Sequence, residues 1–142
     1  MCDEAELTLE STPLAIRTGR RFTAETLARW GFDDDGPAGA RAGEIVLVTS
    51  ELLTNAVRAS SGNTGLHIVG HRDHVLVEVR DESPAPAVAR AASSADTGGR
   101  GLAIVQALST RWGSSPSQPT GKVVWSKLAV PPRPALAEHC RL

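Results

Sequence analysis

No apolar run in this chain approaches the roughly 20 residues that a membrane-spanning helix needs. The first ten residues, MCDEAELTLE, are acidic and short of apolar side chains, so no secretory signal is expected. Cysteine is scarce. Cys2 and Cys140 lie near opposite ends and make no metal-binding spacing, so the expectation is a cytoplasmic protein with incidental thiols. Neither sign of charge is in excess, because 15 Lys and Arg against 16 Asp and Glu leave a net charge of −1. That total gives no attraction for nucleic acid or for an anionic membrane. Internal repeats are absent, and no glycine-rich stretch ends in the Gly-Lys-Ser/Thr of a P-loop. What remains is 142 residues, 41% hydrophobic and 22% charged, which suits one globular domain with a single core.

The most informative stretch is Glu44–Ser60, EIVLVTSELLTNAVRAS. Ile45, Val48, Leu52, Ala56 and Ala59 recur at three- and four-residue steps, the pattern of a helix with one apolar stripe. Glu51 and Asn55 are four residues apart and therefore stack on one face, bordering that stripe. Two readings stand. The pair is a solvated flank, or it forms the rim of a pocket, where an amide suits a hard cation and a carboxylate suits an activated hydroxyl.

In chain order, Leu7–Glu10 alternates and predicts a short strand at a sheet edge. Pro13 opens a helical pattern through Ile16, Phe22, Leu27 and Trp30, ended by Gly31, with Arg17, Arg20 and Arg21 on a solvated face. Asp33, Asp34 and Asp35, before Gly36-Pro37, read as a loop that leads into the second helix, expected over 38–60. Residues 61–65 form a turn cluster, followed by strands over 66–71 and 75–81. Val75, Val77, Val79 and Asp81 share one face, which places a carboxylate on the core side of a strand end. Such a group needs a donor. A turn role in Asp81-Glu82-Ser83-Pro84 supplies one reading, and a ligand with an amino group supplies the other. His67, His71 and His74 lack the spacing of a zinc site and read as ordinary strand and turn histidines.

Residues 84–97 carry small side chains and no strong period, so a mobile and functional loop is expected there. It ends in Gly98-Gly99-Arg100-Gly101, and the helical pattern Leu102, Val105, Leu108, Trp112 follows at once. Glycines before a helix start leave backbone N–H groups bare at the positive end of the dipole, which is a phosphate cradle in physical terms, and Arg100 adds a guanidinium fork. A flexible hinge is the other reading. Trp112-Gly113 is expected to close this helix, residues 114–120 to form a loop, and residues 121–130 to form the last strand.

Together, ELLTNA (Glu51–Ala56), RDESPAP (Arg80–Pro86) and GGRGLAIV (Gly98–Val105) resemble, in order and spacing, the motifs of the GHKL or Bergerat-fold ATP-binding superfamily. Within it the chain is similar to the short anti-sigma-factor serine/threonine kinases and their single-domain actinobacterial relatives. The resemblance covers residues 7–130, including Trp112-Gly113 and Gly121–Trp125, and leaves 1–6 and 131–142 as flexible termini. Two departures stand out. Asp81-Glu82-Ser83-Pro84 replaces the frequent Asp-x-Gly-x-Gly, and Ala59-Ser60 stands where many short relatives carry a histidine.

The resemblance implies an α/β (α+β) two-layer sandwich, a mixed and mostly antiparallel sheet with helices on one face. It implies ATP and Mg²⁺ as cofactors, with Asn55 on the metal and Glu51 as general base. Asp81 would accept a hydrogen bond from the adenine amino group. Gly99 and Gly101 would let the loop close over the nucleotide phosphates and Arg100 would meet the terminal ones, with Leu102 also cofactor-binding and a lid over 87–98. The implied partners are an anti-anti-sigma (STAS-type) protein and a sigma factor, with a possible second copy in a homodimer.

Overall fold

The computed structural model describes residues 3–32, 36–59, 62–83, 97–117 and 121–132. Chain order is β1 (Asp3–Glu10), α1 (Pro13–Arg29), α2 (Pro37–Ala59), β2 (Asn63–Gly70), β3 (His74–Asp81), α3 (Thr97–Leu108), β4 (Arg111–Pro116) and β5 (Lys122–Ala129). The strands form one sheet in the order β1-β2-β3-β5-β4. The helices cover one face of it, giving the α+β two-layer arrangement.

Every pairing among the described residues is antiparallel, so the expected mixed sheet has no parallel pair there. The reason lies in the connections. A single helix between neighbouring strands makes them parallel, whereas two elements between them return the chain in the opposite sense. The pair α1 and α2 separates β1 from β2, and the pair α3 and β4 separates β3 from β5. The second case turns on β4, which replaces the helix end and loop expected at Trp112 and beyond. RWGSSP carries almost no apolar signal. It is a strand because β5 offers it an edge, with Gly113 opposite Trp125. A Cβ at Gly113 would stand 2.8 Å from the Trp125 indole, so the ring lies flat against bare backbone.

Other boundaries move for similar reasons. β1 begins at Asp3, so residues 3–6, expected as a flexible terminus, pair with β2 from Asp3 opposite Gly70 onward. β2 takes in Asn63, Thr64 and Gly65 from the expected turn cluster, and Ser11 Oγ meets Thr64 Oγ1 at 2.6 Å. The expected stretches at Asp33–Asp35 and at 84–96, and both cysteines, lie outside the described residues.

The core is built from α2, α3 and the inner side of the sheet. Ile45, Val48, Leu52, Leu53, Ala56, Leu66, Ile68, Val75, Val77, Val79, Val105, Val124 and Leu128 are all buried. Each large aliphatic side chain so buried contributes about 1.5–3 kcal/mol relative to exposure. On α1 the face against the core is set by Ala15, Gly19, Thr23, Thr26 and Leu27, with Ile16, Phe22 and Trp30 only partly buried. A side chain at Gly19 would overlap Leu53, so α1 and α2 approach closely at that point. Thr23 and Thr49 are buried without penalty because each donates to the carbonyl four residues earlier. Arg17, Arg20 and Arg21 are exposed, the solvated face expected of them.

Candidate functional site

α2 carries Glu51 and Asn55 as predicted, four residues apart and both half-buried, beside Leu52 and Ala56 of the core stripe. Its first turns are fixed by Arg41, whose Nε donates to the Ala129 carbonyl at 2.6 Å and whose Nη2 donates to the Leu108 carbonyl at 3.2 Å. The helix that presents the pair is thus tied to the ends of both β5 and α3. The Asn55 amide nitrogen is buried and, among the described residues, has no hydrogen-bond partner. Such a group carries a desolvation cost of about 1–3 kcal/mol that a ligand would relieve. Rotation of the amide exchanges its nitrogen and oxygen, so the same position can offer a donor or an acceptor.

Asp81 ends β3 on the inner side, 1% exposed, in line with Val75, Val77 and Val79. Its Oδ1 accepts the Ser83 backbone N–H at 2.8 Å, which is the turn role that Asp81-Glu82-Ser83 predicts. The resemblance assigns its remaining need to an adenine amino group; the structure also gives it a protein partner. Lys122, directly opposite on β5, places Nζ 3.1 Å from Oδ1 and 3.0 Å from Oδ2. The Lys122 bond has good geometry only at Oδ1, and Oδ2 stays buried without a hydrogen bond. Lys122 is a residue that sequence reasoning missed. The available signal was its place in the alternation Lys122, Val124, Ser126, Leu128, the inward side of β5.

The glycine stretch is displaced from its expected place. Gly98, Gly99, Arg100 and Gly101 lie inside α3, which starts at Thr97, rather than before it. Glycine weakens a helix interior by about 1 kcal/mol relative to alanine, but Leu102 and Val105 anchor the following turn in the core. The first four N–H groups of any α-helix lack intrahelical acceptors, and in α3 these belong to Thr97, Gly98, Gly99 and Arg100. The anion-favouring end of the dipole is therefore still presented by this segment. Leu102 is 2% exposed and its side chain is a core element.

His67, His71 and His74 fall into two settings. His67 sits on the open face of the sheet, 3.5 Å from Glu78, 3.7 Å from Glu6 and 4.0 Å from Glu4. It borders a cleft of about 480 Å³ that Glu6, Glu78, Arg80, Asp81 and Glu82 also line. His71, in the turn after β2, stacks at 4.2 Å on His74, the first residue of β3. Among the described residues no group of three His, Cys, Asp or Glu side chains is arranged to hold a metal. No helix among them is long and apolar enough to cross a membrane.

Residues 9–127 match the family model described as a histidine kinase-like ATPase domain. No curated protein matches the chain.

Proposed function

The chain belongs to the histidine kinase-like ATPase domain family, and from that premise we propose that it is a protein serine/threonine kinase of the anti-sigma type. The family membership implies ATP binding; the phosphotransfer, its acceptor and its metal are the proposed part. The observation that carries the reading is the Asn55 amide, buried and unpartnered, one helical turn from Glu51. Asn55 would hold Mg²⁺, which supplies charge neutralisation at the phosphates when bound. Glu51 would take the proton from an acceptor hydroxyl. The first turn of α3 would receive phosphate oxygens on its N–H groups, and Asp81 would accept the adenine amino hydrogen. Phosphoryl transfer rests mainly on positioning and charge, so this small set is sufficient in kind. The proposed acceptor is a serine or threonine on a STAS-type anti-anti-sigma partner, with a sigma factor as the regulated protein, in the cytoplasm.

A second reading has its own support. The Asp81–Lys122 pair and the lack of glycine in the sequence Asp81-Glu82-Ser83-Pro84 differ from a glycine-loosened adenine site, which fits a nucleotide-gated binding module that transfers nothing. One comparison separates the two. Glu51→Ala should abolish phosphate transfer from ATP to a STAS-type partner while leaving Mg-ATP binding within a few-fold. If wild type and variant both bind ATP and switch partners alike, with no phosphoprotein formed by either, the kinase reading is wrong and the module stands.

A further inference from the structure

Asp81 and Lys122 form the one buried ion pair described on the inner side of the sheet, with side chains 0% and 4% exposed. Ordinary burial of such a pair costs more in desolvation than it returns unless every lone pair and proton is used. Here they are not all used. Oδ1 takes two donors, from Ser83 and Lys122, while Oδ2, only 3.0 Å from the same ammonium, takes none with good geometry. The ammonium has three N–H bonds and one described acceptor. The end of β3 therefore presents a vacant acceptor and a donor side by side, on side chains more than nine-tenths buried.

An acceptor beside a donor is complementary to one ligand pattern, a donor beside an acceptor. The Watson–Crick edge of adenine is such a pattern, an exocyclic amino group next to the ring nitrogen N1. Resting on the ATP-binding reading above, we propose that Lys122 is a specificity residue of the base site. It donates to N1 while Asp81 Oδ2 accepts from the neighbouring amino group. A base that presents a carbonyl next to a ring N–H meets like with like at both atoms. The backbone fixes the arrangement: Asp81 and Lys122 are register partners, and Gly121, at φ +97°, lies against the Asp81 carbonyl.

Calorimetry with three nucleotides in Mg²⁺ buffer tests this on the full chain: ATP, 1-deaza-ATP (a C–H in place of N1) and purine riboside triphosphate (no amino group). Wild type should bind 1-deaza-ATP roughly tenfold or more weakly than ATP, the loss expected for a hydrogen bond to a charged donor. In Lys122→Met, ATP and 1-deaza-ATP should bind alike, while loss of the amino group still weakens binding. Equal wild-type affinity for ATP and 1-deaza-ATP overturns the assignment without recourse to any variant. Discrimination retained in Lys122→Met overturns it too, as does tighter binding of all three by that variant, which would make the ammonium a competitor for Asp81. Failure of wild type to bind any of the three defeats the ATP-site reading itself, and the assignment falls with it.

Discussion

Gly121 lies so close to the carbonyl oxygen of Asp81 that no side chain fits between them. Its φ of +97° is also a conformation that other residues rarely adopt. Gly121→Ala meets both obstacles, and the obstructing atoms are backbone, which cannot rotate aside. The expected result is a loss of about 2–4 kcal/mol in urea denaturation. Because the displaced carbonyl belongs to Asp81, ATP affinity should fall in the fraction that still folds.

Asn55 should show the opposite balance between stability and binding. Its amide nitrogen is buried without a partner, so removing it relieves a cost. Asn55→Ala should leave the unfolding midpoint within about 1 kcal/mol of wild type, or raise it, since alanine also favours helix. The same variant should lose Mg-dependent ATP binding. A large destabilisation with nucleotide binding intact would identify Asn55 as a structural residue.

Arg41 joins three elements through one guanidinium, reaching Ala129, Leu108 and, at 2.7 Å, Glu44. Arg41→Met keeps the apolar stem and removes the fork. Stability should drop by about 1–3 kcal/mol, as two carbonyls lose a charged donor. Lysine should restore only part of this, because a single ammonium does not reproduce the planar spread of donors. Urea midpoints of the three proteins decide it.

Much of this was legible in the sequence, and the failures share a cause. The inward line Val75, Val77, Val79, Asp81 and the α2 stripe announce themselves by local period, because one face of each element is buried. β4 does not, since Arg111–Pro116 owes its strand state to β5 and not to its own side chains. The Asp81–Lys122 pair is hidden for the same reason: residues 41 apart in sequence become neighbours only once β3 and β5 are known to adjoin. Glu51 and Asn55 were accessible because helical spacing is a local property.

Acid should weaken the turn between β2 and β3. Burial, and next the neighbouring His74, hold His71 below its ordinary 6.5. The unfolded chain then takes up this proton at a higher pH than the folded one. The stabilising contribution is complete above 6.5 and is lost as pH falls from there through the lower folded value. Asp73, held below its ordinary 3.8 by its hydrogen bond to His74, adds a second loss at more acidic pH by the same sign. Urea midpoints should fall between about pH 7.5 and about pH 5.5, and His71→Gln should flatten that slope.

Among the described residues the sheet ends at β1, which leaves one flank of its backbone N–H and C=O groups facing outward. An open flank of this kind is a template for adding strands from other molecules. This one carries Asp3, Glu4, Glu6 and Glu10 within eight residues. A second sheet adding along it in the same way would set carboxylate rows side by side, a like-charge arrangement that opposes pairing. The acidic start of the chain thus acts as a guard against runaway strand addition and amyloid-like stacking. Because it works through exposed charge, its protection should weaken as ionic strength rises.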